Sequence, residues 1–575
     1  MCGISGIVGN ELKKSKIEAM IKILNHRGPD DNGYFISNDN SVGLGHNRLS
    51  IIDLSKSGHQ PMSNFSQDCW ITFNGEIYNY VELKQRLGNY PFQSKSDTEV
   101  ILAAYQKWGE ECVNYFNGMF AFAIWDEKRK KLFCARDRVG IKPFYYLHTK
   151  DSFYFASEIK AILAAGIKTS PNWKSWSNYL VHGVYDHSEE TFFDGIFSLN
   201  SGHSLILKDK QLSIKKYWDI NSDSQKNNYD LKNESEKFLL LLKDSLKLRL
   251  RSDVTVGVNL SGGLDSSSLM IALDEISDKE QCIEAFTATF DNQKYDEYKY
   301  SRQVETKANW NINKCINNEL DIWNSIEEVL WHQEAPFGGI GTMAYHNLHK
   351  SSKEMNVTVL LEGQGVDEML AGYSYYLNEN NSLASKNTSL YQDGTKFLAP
   401  NCIREEIFNK ADNKMKFANP FKDTLTNNLY RDFKFTKLPR VLRMNDHLSM
   451  ASSRELREPY LDHRIVEYLF SLPDSLKIYK GQSKYLLREA MAGKLPESIR
   501  SVKKRGVVNP QREWFKNELK EPILDLLHST EFSKRGIFDQ QKVLSEYSKY
   551  CDGDAENSFF IWQWVNTEMW FRIFD

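Results

Sequence analysis

"VTVGVNLSGGLDSSSLMIALDEI", residues 254–276, reads as a β-branched apolar run, a turn built on paired glycines and serines, and then an apolar helix. A strand feeding a helix through such a turn aims the turn's backbone N–H groups and the open helix N-terminus at one spot, which makes an anion site. The turn lacks the lysine of GxxxxGK[ST], so it is not a Walker A loop. "IEAFTATF" at 283–290 and "VTVLLEGQG" at 357–365 read as further strands between helical segments. The expectation is a parallel α/β layer followed by a largely helical tail.

Upstream the pattern differs. Residues 1 to 215 are dense in short β-type runs such as "GISGIVG", "CWITFNGEIYNY", "FAFAIWD", "KLFCARD" and "FYFASE", separated by turn-rich segments. Around 221–231 stands "NSDSQKNNYDL", polar and without periodicity, which reads as an interdomain linker. The expected domains are 2–215 and 232–575, joined by 216–231. A chain of 575 residues is too long for one ordinary core, so two domains suit its length. Its 41% hydrophobic and 26% charged residues are those of a soluble globular protein, and a net charge of -3 gives no reason to expect nucleic acid or an anionic membrane as partner. No apolar run approaches the ~18 residues needed to cross a bilayer, and "MCGISGIVGN" lacks the features of a signal peptide. A cytoplasmic protein acting on small molecules is expected.

The eight cysteines, at 2, 69, 112, 134, 282, 315, 402 and 551, form no CxxC pair, so neither a zinc cluster nor a disulfide framework is indicated. Seven read as small buried apolar side chains. Cys2 is different, because removal of Met1 would leave a thiol and a free α-amine on one residue. That amine, with an ordinary pKa of ~8, can act as the base for its own thiol.

"RGPDD" at 27–31, "HNRLSIIDL" at 46–54, "NGEIYNY" at 74–80, "SDTEV" at 96–100 and "RDRVGIKPFYY" at 136–146 follow "MCGISGIVG" in that order. Together they resemble the glutaminase domain of the asparagine synthetase family, the class II glutamine amidotransferases. The resemblance implies an N-terminal nucleophile (Ntn) hydrolase fold of αββα layering, with Cys2 attacking the glutamine side-chain amide. It further implies that Arg48, Leu49, Ser50, Ile51 and Ile52 hold the substrate's α-carboxylate end. Asn74 and Gly75 supply oxyanion donors, and Glu76 and Asp97 grip the α-amino group. These residue types suit that chemistry. An oxyanion wants preorganised donors, worth ~2.7 to 4 kcal/mol each, and a zwitterion wants a guanidinium at one end and carboxylates at the other. Asp30 and Asp31 read as a polar turn at the pocket rim.

"SGGLDSS" likewise resembles the PP-loop of ATP pyrophosphatases, which binds the pyrophosphate part of ATP while an acceptor is adenylylated. Ser261, Gly262, Gly263, Asp265 and Ser266 match it. The loop Glu362-Gly363-Gln364-Gly365-Val366-Asp367-Glu368 stands where asparagine synthetases carry SGEGxDE over ATP. The resemblance then puts Leu260, Ala288, Glu362 and Gly363 against adenosine and pairs Asp265 with Asp367 as carboxylates for Mg²⁺ on the phosphates. "VLRMNDHLSMASSRELREPYLDHR" at 441–464 fits the same family, with Glu455, Arg457, Pro459 and Asp462 in place. Lys484 matches a pyrophosphate contact and Lys504 the lysine that stabilises the adenylate and its formation.

The implied function is a glutamine-dependent amidotransferase: glutamine is hydrolysed at Cys2, ammonia passes internally, and a carboxylate activated by Mg-ATP as an acyl-adenylate becomes an amide. L-aspartate is the family's usual acceptor. Three departures motivate another acceptor, such as a uronic acid of a nucleotide sugar or surface polysaccharide. Glu362 and Gln364 replace the usual Ser and Glu, "EAPFGGIGT" at 334–342 has glycines where an acid is common, and Glu458 stands at an ordinarily apolar position. Gln364 cannot act as a base near neutral pH. Either Glu362 has taken over that role, or the adenylate phosphate or a second ammonia removes the proton, or Gln364 contacts a different acceptor. A β-lactam synthetase fits less well because ring closure needs no ammonia. A catalytically dead sensor or scaffold would be expected to have lost several of these residues. The sequence leaves the oligomeric state open, with a homodimer as the assembly to test.

Overall fold

A computed structural model describes residues 1–221, 229–277, 283–305, 310–377, 399–413, 415–502, 509–553 and 557–575. The first half is built on two six-stranded antiparallel sheets. Its strands are β1 (Gly3–Gly9), β2 (Asp31–Ile36), β3 (Val42–Arg48), β4 (Met62–Ser63), β5 (Cys69–Ile77), β6 (Gly118–Asp126), β7 (Lys131–Arg136), β8 (Tyr145–His148), β9 (Ser152–Ala156), β10 (Phe197–Ser198), β11 (His203–Lys208) and β12 (Gln211–Lys216). One sheet runs β10-β8-β9-β1-β3-β2 and the other β12-β11-β7-β6-β5-β4.

The alternation along β6 explains how the layers stack. Ala121, Ala123 and Trp125 meet Ile4 and Leu44 of the opposite sheet. Phe120, Phe122 and Ile124 point the other way, onto Val100, Ile101 and Ala104 of the helix Asp97–Trp108. Successive side chains on a strand face opposite ways, so a strand covered on both faces reads as a continuous apolar run. On the far side, Ile7 of β1 packs with Ile17, Met20 and Ile21 of the helix Lys14–Ile23. The result is the helix–sheet–sheet–helix layering expected from the sequence.

The second half centres on a parallel sheet of β13 (Val256–Asn259), β14 (Ile283–Phe290), β15 (Trp310–Asn317), β16 (Val359–Leu361) and β17 (Glu455–Arg457). Its order is β15-β14-β13-β16-β17. The strand order reverses between β13 and β16, and the crevice beyond the carboxyl ends of such a pair is where open α/β sheets bind ligands. Of the segment expected to be a linker, residues 222–228 lie outside the described residues. Before them Ile220 is buried in the core of the second half, and a helix begins at Leu231.

The two halves meet over charged groups as well as apolar ones. Buried Arg27 binds Glu158 at 2.8 Å and, across the interface, Asp446 at 2.9 Å. Lys160 joins Glu158 at 2.5 Å to Glu334 at 3.1 Å. The aromatic helix Phe559–Phe574 packs against the first half, with Trp570 edge-on to Trp176 and Gln563 donating to the Tyr179 carbonyl. Cys69, Cys112, Cys134, Cys315 and Cys402 are buried and Cys551 is half-buried, whereas Cys282 lies outside the described residues.

Candidate active sites

Cys2 immediately precedes β1, the strand held between β3 and β9. Its backbone N–H donates to Asn74 Oδ1 at 3.0 Å, and its Sγ lies 3.9 Å from the Leu49 carbonyl oxygen. Asn74 Nδ2 is buried without a hydrogen-bond partner, so the amide keeps one donor uncommitted beside the thiol. Next to it Gly75 has φ +148, and a Cβ there would lie 2.1 Å from the Met119 carbonyl oxygen, so no other residue fits this turn of β5. Burial pushes the Cys2 thiol up from its ordinary range, opposed first by the positive charge of the chain N-terminus. That charge belongs to Met1, whose amine is itself buried and lies 3.5 Å from Glu455 of the second half.

Glu76 and Asp97 share this buried region. Asp97 opens its helix one residue after Ser96, whose hydroxyl caps the helix by accepting from Thr98 N–H. Asp97 Oδ2 accepts from Ile77 N–H at 2.8 Å, yet burial pushes its carboxyl up to about 6. Glu76 is pushed up too, first by burial and then by the charges of Glu455 and Asp97. Arg457 approaches Glu76 at 3.6 Å and binds Glu455 at 2.5 Å. Arg48, Leu49 and Ser50 line a cleft of about 910 Å³ together with Asp30 and Asp31. The Arg48 guanidinium is tied to the Ser55 carbonyl at 2.8 Å and to that of Asp53. Asp30 accepts from Ser50 N–H at 2.7 Å, which is how the "RGPDD" turn shapes the rim. Ile51 and Ile52 are buried behind it.

In the second half, the loop after β13 closes on itself. Ser261 N–H donates to Ser266 Oγ at 3.2 Å, and Gly263 N–H to Ser261 Oγ at 3.3 Å. Gly262 takes φ +68, where a Cβ would lie 2.6 Å from the Ser301 backbone nitrogen. The helix Leu264–Asp274 then starts with no side-chain cap, leaving its first N–H groups facing the crevice. Leu260 is buried and Ala288 half-buried on the neighbouring strand. Gly363 approaches the backbone of Asp265 and Ser266, bringing the two loops together.

Lys484 lies between Asp265 and Asp367, 2.5 Å from each. Burial alone would strip its charge, but the two carboxylates hold its pKa above the ordinary value. Two aspartates already converging on one cation fit a Mg²⁺ that takes one or two protein carboxylates and completes its shell with substrate phosphates. No cluster of three or more metal-ligating side chains occurs among the described residues. Lys504 lies outside the described residues.

Glu362 is held from three sides. Asn259 donates to its Oε1, Asn445 donates to its Oε2 at 2.8 Å, and the Gln364 side chain hydrogen-bonds it too. Burial still pushes it up to about 7. Asn259 and Asn445 were not singled out from sequence. Asn445 sits inside the 441–464 motif and Asn259 ends β13 just before the glycine-rich loop, but nothing local marks either as the partner of Glu362. Gln364 thus has a visible occupation in this structure, as a neutral partner to Glu362.

Comparison with known proteins fits this geometry. Residues 1–218 match the glutamine amidotransferase domain family, and residues 237–572 match the asparagine synthase family. The chain is 30% identical to asparagine synthetase (glutamine-hydrolyzing) 1 of Bacillus subtilis, over 100% of this chain and 97% of the relative. It is 31% identical to asparagine synthetase (glutamine-hydrolyzing) 3 of the same organism, covering 88% of this chain and 86% of the relative. It is also 28% identical to amidase chry2 of Gibberella zeae, over 94% of each. No helix among the described residues is long and apolar enough to cross a membrane.

Proposed function

Because the chain belongs to the asparagine synthase family and is an ATP-dependent, glutamine-hydrolysing amidotransferase of that type, we propose that it joins the amide nitrogen of glutamine to an adenylylated carboxylate, with L-aspartate as the first acceptor to test. The observation that carries this reading is the continuity of the two sites. Glu76 beside Asn74 faces Arg457, Arg457 binds Glu455, and Glu455 faces Met1, so the thiol and the carboxyl edge of the parallel sheet share one buried polar seam. Met1 fills the space between Cys2 and Glu455, and its removal would free the Cys2 amine and open that space.

In this mechanism Cys2 attacks the glutamine amide, Asn74 Nδ2 and the Gly75 backbone receive the oxyanion, and Glu76 with Asp97 hold the substrate's ammonium. Arg48 and the Leu49–Ile52 backbone bind its carboxylate. In the second site Leu260, Ala288, Glu362 and Gly363 border adenosine, and Ser261–Ser266 cradle the pyrophosphate portion. Asp265 and Asp367 would hold Mg²⁺, which supplies charge neutralisation on the polyphosphate. Lys484 and Lys504 offset the charge that develops as pyrophosphate leaves. The domain limits follow as 2–215 and 232–575.

The test is ATP–pyrophosphate exchange with candidate carboxylates, L-aspartate against a uronic acid, free and as part of a nucleotide sugar. AMP and pyrophosphate are the expected products; ADP and phosphate would overturn the adenylate route. Exchange with the uronic acid but not with aspartate would reassign the acceptor. That second reading is favoured by Gly338 and Gly339, which stand where the family commonly carries an acid.

A further inference from the structure

Glu458 is a buried acid to which the mechanism above gives no role. It directly follows β17, and its position is set by strand register. In the parallel pairs Val258 lies beside Leu361 and Leu361 beside Arg457, and Glu362 N–H donates to the Arg457 carbonyl at 3.0 Å. One residue further on, Asn259, Glu362 and Glu458 form a row across three adjacent strand ends. Register partners in a parallel sheet present their side chains to the same face. The row therefore lies along the carboxyl edge of the sheet, beginning at the crevice between β13 and β16 and ending at β17, the strand the first half covers through Met1 and Lys142.

The two glutamates differ in what holds them. Both oxygens of Glu362 accept from asparagine amides. Glu458 is 2% exposed, and its Oε2 is fully buried without a hydrogen-bond partner. A buried, unpartnered carboxyl oxygen is costly, roughly 1 to 3 kcal/mol for a polar group and more for a charged one, so an apolar residue would be the cheaper occupant. The charged groups facing it are Glu362 from β16, Lys142 from the first half, Arg249 from the helix Leu231–Arg249 and Asp446 from the helix Leu438–Ala451. Burial, then the charge of Glu362, push Glu458 up to about 8. Two neighbouring carboxyls raised in this way resist ionising together near neutral pH.

We propose that Glu458 is the catalytic base of amide formation, taking the proton from ammonia as it attacks the acyl-adenylate, with Glu362 as the positioning residue beside it. This rests on the adenylate reading given above. The nitrogen lone pair forms the C–N bond, and the carbonyl π pair moves onto oxygen. One N–H proton passes to the Glu458 carboxylate. The oxygen pair then reforms the carbonyl as the C–O bond to phosphate breaks, and AMP leaves with that bonding pair. An acid whose pKa lies near the working pH is suited to the transfer. Gln364, neutral where the family's usual residue is an acid, then needs no base function of its own.

The experiment compares wild type with Glu458→Gln and Glu458→Asp in the full-length protein, using the carboxylate that supports exchange and hydroxylamine as the nucleophile, which stays unprotonated across the range studied. In Glu458→Gln, pyrophosphate exchange and glutamine hydrolysis should stay within about twofold, while hydroxamate formation falls by ~10²-fold or more, the usual range for losing a general base. The rise in rate through about pH 8 should disappear, and Glu458→Asp should recover part of it. Three results would overturn the proposal: an unchanged rate and pH profile, equal loss of exchange and hydroxamate formation, or a raised acceptor KM at unchanged kcat. The last would make Glu458 an acceptor-binding residue. If no carboxylate supports exchange even in wild type, the adenylate reading fails by itself. The infrared carbonyl band of a protonated carboxylic acid, read as the difference between wild type and Glu458→Gln so that the other buried acids cancel, then decides: a band lost in the variant supports a protonated carboxyl at Glu458, and a null difference refutes it.

Discussion

Asn74 does two things with one amide. Its oxygen fixes the Cys2 backbone, which leaves its nitrogen as an open donor beside the thiol. Asn74→Ala should therefore lower glutaminase kcat by ~10²- to 10³-fold, as loss of one oxyanion donor does, while ammonia-driven synthesis continues. Cys2→Ala should abolish glutamine use and likewise spare ammonia-driven synthesis, measured as AMP release with each nitrogen source. Loss of both activities in a folded protein would contradict two separate sites. Asp97 adds a pH dependence whose sign is fixed. In the proposed mechanism the substrate's ammonium binds the ionised carboxylate, which burial holds near 6. Glutamine KM should thus be flat above pH 6 and rise as pH falls through it, and Asp97→Asn should keep a high KM throughout.

At the scale of elements, the strand–turn–helix at 254–276 was legible because glycine, serine and apolar residues punctuate it locally. Its geometry bears a direct test. Gly262 sits at φ +68 against the Ser301 backbone, so an alanine there must strain or move the loop. Strain of ~1 to 3 kcal/mol per residue in such conformations corresponds to about tenfold or more in exchange rate. Gly262→Ala should show that loss in ATP–pyrophosphate exchange, with glutamine hydrolysis unchanged; equal activity in both assays would mean the loop is not the phosphate cradle. The helix Phe559–Phe574 was less legible. Its apolar residues have mixed spacing because it is buried nearly all round, against both halves, and so presents no polar stripe from which a face could be read.

Across the whole molecule, the two halves are joined by ion pairs that lie in the interface itself. Arg27 bonds Glu158, Asp446 and the Cys2 carbonyl at once. Arg27→Met would leave two buried carboxylates short of their cation, a change that costs about 3 to 5 kcal/mol where a buried pair is broken from one side. The expected outcome is a lowered urea midpoint, together with more glutamate released per AMP as the two reactions uncouple. An unchanged urea midpoint would show that Arg27 does not hold the halves together, and an unchanged glutamate-to-AMP ratio that it does not couple the two reactions.

The sequence by itself determined the kinds of site and their order. A cysteine behind the initiator, six ordered motifs and a glycine-rich turn are local signals, each fixed by residues a few positions apart; the parallel α/β layer was read from them directly, and the αββα layering only through the family those motifs resemble. Only the tertiary structure decided which acids face one another. Glu76, Glu455 and Arg457, or Glu362, Glu458 and Asp446, come from elements far apart in the chain and meet through strand register and domain docking. A glutamate in a sequence reads as a solvent-facing residue, since charged side chains are rarely buried. Its burial, and the proton affinity that burial confers, exist only once the chain has packed around it.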